Sequence, residues 1–324
     1  MKQPSPDHHW YFVDESGDPT FYDRKGNLIV GQTGCSPILL LGFIETPNPQ
    51  PIRRAILDLQ RQIVADPYFQ NFPSLQKTAT AFHAKADRPE IRYLFFKLIA
   101  TLDFKAQFVV ARKIERVFRN SFQTNETLFY DHLMASLFKN VLHRYQHNHI
   151  YYARRGSRNR QIPLSHAIRQ GISQSKKKVQ AQFELQAQIG GGEPCLSVVD
   201  YMNWAVYRAF TTGEMQYFNV VADKVTLLVD LYDQQNYPNN WYNRRNPFDI
   251  KKNHPFVARS GYRTHGMEPA FTNKGVTLTK VMPTLYNRVD PCFKEQFHKN
   301  FSPGLLHVII PSRLHKLKFT RGVI

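Results

Sequence analysis

Three acidic residues at the end of the first apolar segment are the clearest candidates for chemistry. Residues 10–14 alternate large apolar side chains and predict a strand, with Asp14 at its end and Glu15 and Asp18 just beyond. Carboxylates this close together could hold a hard cation such as Mg²⁺. Side chains alternate along a strand, so Asp14 and Glu15 should face opposite ways, with Asp14 on the Trp10 face. The alternative is a polar turn, because Ser-Gly-Asp-Pro is a strong turn signal.

A second candidate group is His83, Lys85 and Asp87. In an extended segment His83 and Lys85 lie on one side, where both could face phosphate or His83 could transfer a proton. The alternative is an exposed loop in which Asp87 caps a helix, because Asp87 and Glu90 have capping-box spacing.

A cluster of arginines follows a short predicted strand, residues 150–153: Arg154, Arg155, Arg158 and Arg160. Guanidinium groups bind phosphate oxygens, and the preceding Tyr151 and Tyr152 could stack on bases. A solvated basic turn explains the same residues equally well.

Asp200 is the fourth candidate, on a helix predicted for residues 197–210. On the helical wheel it lies opposite the apolar stripe, beside Asn203, Trp204 and Tyr207. A helix that is apolar on one side and aromatic and polar on the other should face a neighbour on both sides. That second neighbour is either a site or the C-terminal part of the chain.

Three histidines could also touch a metal, since His143 and His147 have one-turn helical spacing and His149 follows. With no Cys or carboxylate close by in the sequence, the end of a solvated helix explains them better.

Strands and helices alternate along the chain and predict an α/β domain with helices on the faces of a mixed sheet. The predicted strands are 10–14, 38–44, 104–111, 150–153 and 182–187. Predicted helices begin at Pro51 and after Asp87 and cover residues 130–145, 163–178, 197–210 and 218–232.

The charge of the chain points to a polyanionic partner. Its 324 residues include 43 Lys and Arg against 25 Asp and Glu, a formal charge of +18. Basic proteins bind nucleic acid or anionic surfaces, whereas an apolar fraction of 42% excludes a wholly disordered basic tail. Residues 237–324 hold fifteen basic and four acidic residues, a surplus of eleven. We therefore predict a core domain over 1–236 and a basic, loop-rich extension over 237–324.

The chain shows no targeting or membrane signal. It has no run of about 18 apolar residues and no secretory leader, so we expect no membrane partner. Its three widely spaced cysteines, Cys35, Cys195 and Cys292, predict neither a disulfide framework nor a CxxC metal site. A reducing, cytoplasmic location fits best.

Four short segments together resemble the large bacterial and phage family catalogued as domain of unknown function 3800. They are Tyr-Phe-Val-Asp-Glu-Ser-Gly at 11–17, Phe-His-Ala-Lys at 82–85, Arg-Gly-Ser-Arg at 155–158 and Ser-Val-Val-Asp-Tyr at 197–201. The resemblance covers residues 10–214 approximately, and its specificity comes from the order and spacing of the four segments.

The resemblance implies an RNase H-like fold, a mixed five-stranded sheet with a carboxylate on its first strand. Proteins of that fold cut or join nucleic acid with divalent metal ions. The resemblance makes Asp14 the first metal-binding carboxylate and Asp200 the last, with Glu15, His83 and Lys85 as auxiliary residues. The chain departs from the nucleases after residues 150–153, where two arginines replace a further carboxylate.

The resulting hypothesis is a nuclease that depends on Mg²⁺ or Mn²⁺ and hydrolyses phosphodiesters in DNA or RNA, in a mobile-element or phage-defence context. Asp14 and Asp200 would hold the metal, while Lys85, Arg155, Arg158 and Arg160 would bind the backbone. One alternative is a nucleic-acid-binding protein of the same fold without catalysis. Another is a subunit that binds a protein partner through the extension.

Overall fold

The computed structural model describes residues 7–139, 141–153, 182–188, 191–233 and 236–251. The predictions for Arg154, Arg155, Arg158 and Arg160, for the helix at 163–178 and for all residues from 252 onward lie outside these ranges.

Seven strands of the described residues form one mixed sheet in the order β5-β4-β1-β2-β3-β6-β7. They are β1 His8–Gly17, β2 Ile38–Thr46, β3 Lys105–Arg112, β4 His147–Ala153, β5 Gln182–Gln188, β6 Val225–Asp230 and β7 Trp241–Tyr242. β2 runs antiparallel to β1 and β3, and β7 runs antiparallel to β6, while the other neighbours are parallel. The carboxyl ends of β1, β3, β4 and β6 therefore lie at one edge of the sheet.

Helices cover both faces of the sheet. They are α1 Gln50–Ala65, α2 Leu75–Thr80, α3 Pro89–Thr101, α4 Glu115–Phe122, α5 Glu126–Phe138, α6 Cys195–Thr212 and α7 Met215–Val221. On one face, here the α6 face, Phe12 and Leu40 pack with α1, α3, α6 and α7. On the other, the α5 face, Tyr11 and Leu41 pack with α4 and α5.

The sequence explains why these elements form. Every residue of β2 is buried, as expected for a strand that is apolar on both faces. α5 begins after Asn125, whose side chain accepts hydrogen bonds from the backbone N–H groups of Thr127 and Leu128. α6 ends at Gly213, which has a φ of 75° that glycine adopts without steric cost. The predicted α/β class and the helices on a mixed sheet are thus confirmed.

Two helix predictions were wrong. The segment predicted as helix 218–232 forms α7 and then strand β6, because residues 225–230 pair in parallel with β3. The helix predicted over 130–145 ends at Phe138, and residues 142–144 form a single 3₁₀ turn. His147 and His149 consequently lie in β4 rather than at a helix end.

The sheet is wider than the five strands that the family resemblance implies. β6 extends it beyond β3, and β7 pairs with β6 after residue 236. Phe248 follows and packs against Phe210, Phe218 and Tyr242 on the α6 face. Ordered structure therefore continues past residue 236, where the sequence predicted that the basic extension begins.

Candidate functional site

The three carboxylates after the first strand lie in three different environments. Asp14 is buried and, by strand alternation, shares the α6 face with Phe12. Glu15 points to the α5 face, where its Oε2 accepts a hydrogen bond of 2.7 Å from the Tyr130 hydroxyl. Asp18, just after β1, accepts hydrogen bonds from the Ser36 backbone N–H and from Lys113 Nζ. Of the two carboxylates on β1, Asp14 thus lies on the side of the sheet that α6 covers.

Asp87 does not cap α3, so that prediction was wrong. The residue before α3 is Arg88, which makes no side-chain cap bond. The buried Asp87 carboxylate instead accepts three hydrogen bonds, from the Thr78 hydroxyl at 2.7 Å, the His83 backbone N–H at 2.8 Å and the Tyr201 hydroxyl at 2.6 Å. Because Tyr201 belongs to α6, these bonds fix the loop 81–88 against that helix.

The same loop brings together two residues that are far apart in the sequence, His83 and Asp200. The Asp200 Oδ2 atom accepts a hydrogen bond of 2.7 Å from the Ala84 backbone N–H. His83 Nδ1 lies 3.6 Å from the same oxygen, and the His83 side chain is 53% exposed. The exposed Lys85 follows two residues later. The loop therefore presents an imidazole and an ammonium group beside a carboxylate held by backbone bonding.

A third polar residue of α6, Asn203, links this region to the strand that carries Asp14. Asn203 is fully buried and lies over Gly42 of β2, so close that a Cβ at Gly42 would fall 2.2 Å from Asn203 Oδ1. Gly42 is the register partner of Asp14 on β1. The side of α6 that carries Asp200 and Asn203 thus lies against the strand pair that carries Asp14.

The Asn203 carboxamide has no hydrogen-bond partner among the described residues. A buried polar group without a partner costs about 1–3 kcal/mol. The helical wheel placed Asn203 beside Asp200, but the sequence assigned it no role. Two signals could have found it: the three-residue spacing from Asp200, and a lone glycine inside an apolar strand, which marks a close approach.

One helical turn further along α6, Tyr207 reaches the carboxyl edge of the sheet. Its hydroxyl lies 2.9 Å from the Ser36 Oγ atom, and Ser36 in turn donates to the Ile38 carbonyl at 2.6 Å. The side of α6 opposite its apolar stripe therefore faces neighbours along its length, as the helix wheel predicted. The neighbours seen in the structure are the loop 81–88, the strands and, around Trp204, the helices α3 and α7.

Tyr151, proposed as a base-stacking residue, is partly buried and packs against the α6 face. Its ring centroid is 5.3 Å from that of Phe12, and the Arg53 guanidinium lies 5.7 Å from its centre. Arg53 also pairs with Glu193, just before α6. Tyr152 is partly buried on the α5 face.

Two more polar clusters lie away from these residues. The histidines of β4 approach β1 and β5: His149 Nε2 is 2.8 Å from His8 Nδ1, and His149 Nδ1 is 3.3 Å from Glu184. At the other end of the sheet, buried Arg112 donates to Asp230 at 2.8 Å. Burial raises the pKa of Asp230 to about 6, with the Arg112 guanidinium opposing the shift.

General signatures of function are absent from the described residues. Within the described ranges, no three His, Cys, Asp or Glu side chains are grouped to hold a metal ion. Among the described helices, none has both the length and the apolar character needed to cross a bilayer. Comparison with protein-family models, with curated proteins and with solved structures found no match.

Proposed function

We propose that the protein is a phosphodiesterase that depends on Mg²⁺ or Mn²⁺, acts on DNA or RNA and has an RNase H-like fold. The observation that carries the proposal is the arrangement around α6. Asp14 lies on the central strand of the set β5-β4-β1-β2-β3, and α6, which carries Asp200, packs across β1 and β2 through Asn203. A mixed five-stranded sheet with a carboxylate on its first strand is also what the family resemblance implies.

The oxygen donors on this side of α6 are of the types that a small divalent cation prefers. Mg²⁺ is commonly held by one or two carboxylates, with waters and substrate phosphate oxygens completing its shell. Asp14 and Asp200 supply two carboxylates, and the amide oxygen of Asn203 is a third hard donor. The partnerless state of that amide supports this role, because a ligand would remove the cost of burying it. When bound, the cation supplies Lewis-acid activation of the scissile phosphate.

The protein's own side chains would bind the substrate and move a proton. With His83 Nδ1 beside Asp200 Oδ2, the carboxylate can orient the ring and leave its other nitrogen to exchange a proton with the substrate. Lys85, exposed on the same loop, would bind a backbone phosphate. The hydrogen bonds of Asp87 to this loop would keep both groups in place during the reaction.

A cleavage assay tests the proposal directly. Labelled single- and double-stranded DNA and RNA are incubated with the full chain and Mg²⁺ or Mn²⁺, and the variants Asp14→Asn and Asp200→Asn are compared with wild type. We expect each variant to lower the rate by about 100-fold or more, since each removes a charge that would hold the cation. Asp58→Asn, which removes an exposed carboxylate of α1, is the matched control.

The proposal fails if cleavage survives both substitutions, or if no metal supports cleavage by wild type. The second result, combined with binding that weakens as salt rises, would favour a nucleic-acid-binding protein without catalysis. The net charge of +18 fits both functions, whereas the lack of a grouped set of three His, Cys, Asp or Glu side chains among the described residues favours that alternative.

A further inference from the structure

An exposed aromatic patch lies on the loop before α2 and on the first turns of α3. Tyr68 and Tyr93 are 62% and 64% exposed, which is unusual for large aromatic side chains. The Tyr68 ring packs on Phe69 and Phe72, with centroids 5.0 and 5.6 Å apart. Beside Tyr93 is a surface pocket of about 440 Å³ lined by Phe69, Pro89, Glu90, Tyr93 and Leu94.

Two cationic side chains lie over rings of the patch. The Arg88 guanidinium lies 4.8 Å from the centre of Phe72, and Lys97 Nζ lies 5.5 Å from the centre of Tyr93. Both residues are exposed, so their charges face solvent. The pocket wall itself is apolar apart from Glu90, whose carboxylate repels a phosphate but can accept hydrogen bonds from an exocyclic amine of a base. This chemistry suits a base in the pocket and phosphates at its rim.

The patch is continuous with the candidate site. Arg88 and Pro89 directly follow Asp87, which binds the His83 backbone N–H and so fixes the intervening loop. The loop carries His83 and Lys85 and ends where the patch begins. A nucleic-acid strand bound to the patch would therefore lie beside residues that adjoin this loop in the sequence.

We propose that Tyr68 and Tyr93 stack on bases of a single-stranded nucleic acid, with Arg88, Lys97 and Lys85 binding its phosphates. The inference rests on the proposed function and names its substrate class. In a duplex the base faces are covered by their neighbours, whereas in a single strand they can stack on an aromatic ring. The patch would thus select single strands and deliver them to the site.

The test measures binding alone, by fluorescence anisotropy of labelled 12-nucleotide strands with the full chain in EDTA at fixed salt. Each strand is compared with a version of the same length that lacks its central bases. We expect Tyr93→Ala to weaken binding of the intact strand by about fivefold or more and to leave the abasic strand nearly unchanged. Tyr93→Phe should retain wild-type affinity, because it keeps the ring, and Tyr68→Ala should act like Tyr93→Ala.

The matched control is Leu57→Ala, which removes another exposed apolar side chain, on α1. Four outcomes would overturn the proposal: an unchanged affinity of Tyr93→Ala for the intact strand, an equal loss for intact and abasic strands, equal wild-type affinity for duplex, or a Tyr93-dependent oligomer in light scattering. The last would identify the patch as a contact between copies. Because no cleavage is needed, failure of the proposed catalysis leaves this result interpretable.

Discussion

The two faces of the sheet differ in the polar groups that they bury. On the α5 face, buried apolar side chains such as Leu41, Phe43 and Leu133 pack against one another. This face also buries His9 and Glu45, whose side chains lie 3.4 Å apart, and Glu15 and Tyr130 bond at its margin. On the α6 face, an equally apolar cluster surrounds polar groups that are buried or nearly so, among them Asp14, Asn203 and Asp230.

The polar groups of the α6 face differ in how well they are paired. Apolar burial stabilises a fold without specifying any reaction, whereas a buried polar group costs free energy unless it is paired. The carboxylate of Asp87 accepts three hydrogen bonds, whereas the amide of Asn203 has no hydrogen-bond partner among the described residues. An unpaired amide is tolerated more readily where a ligand can use it, and this is consistent with the site proposed on the α6 face.

The largest expected effect is on the α5 face. Leu41→Ala should lower the free energy of unfolding by about 2–5 kcal/mol, because Leu41 is fully buried and the cavity would collapse only in part. Urea denaturation measures the change, with Leu57→Ala as the exposed control. A loss below about 1 kcal/mol would contradict the view that this face supplies stability.

Two tyrosines allow a matched comparison of the faces. Tyr201→Phe removes a buried hydrogen bond to Asp87 and should cost about 1.5–3 kcal/mol, because it leaves a buried carboxylate one donor short. It should also loosen the loop that holds His83 and so lower the cleavage rate. Tyr130→Phe removes the corresponding bond to the partly exposed Glu15 and should cost about 0.5–1 kcal/mol without slowing cleavage. Equal effects on the rate would remove the distinction between the faces.

A substitution at Gly42 tests the contact between α6 and β2. Gly42→Ala should cost about 1–3 kcal/mol, because its Cβ would meet Asn203 Oδ1 at 2.2 Å and the Phe108 ring at 2.5 Å. Asn203→Ala should change stability little, since it removes an unpartnered polar group, and in the double variant it should recover part of the Gly42→Ala loss. Strict additivity in denaturation experiments would show that the two residues do not press on each other.

A further effect concerns pH and Asp230, on the α6 face. Its folded pKa of about 6 exceeds its ordinary 3.8, so between these values the folded state binds more protons than the unfolded state. The contribution of Asp230 to the free energy of unfolding is therefore complete below pH 4 and is lost as the pH rises to 6, by at most about 1.4 kcal/mol per unit. Arg112 and Asp233 are the charged groups that contact or face it.

Denaturation at pH 4, 5, 6 and 7 measures this contribution as a difference between wild type and Asp230→Asn. The free energy of unfolding of the variant should lack the fall between pH 4 and 6 that Asp230 causes in wild type. Parallel curves for the two proteins would show that Asp230 titrates at its ordinary pKa.

The fold class and most elements follow from the sequence because period-2 and period-3.6 patterns are local. The strands β1 to β5 and the helices α1, α3 and α6 were predicted near their observed positions. Predictions failed where distant pairing overrode the local pattern. Residues 225–230 have a helical pattern in the sequence, but in the structure they pair with β3. Asp87 has the spacing of a helix cap, but its carboxylate bonds to Thr78 and Tyr201 instead.

By itself, the sequence determined which side chains could do chemistry and on which side of its own element each would lie. It separated Asp14 from Glu15 by alternation, and it placed Asp200 beside Asn203 by helical spacing. Only the tertiary structure decided which of these meet, because contacts between residues more than a hundred positions apart depend on how whole elements pack. It joined His83 to Asp200 and set Asn203 over the strand partner of Asp14. These two contacts turn separate polar residues into one candidate site.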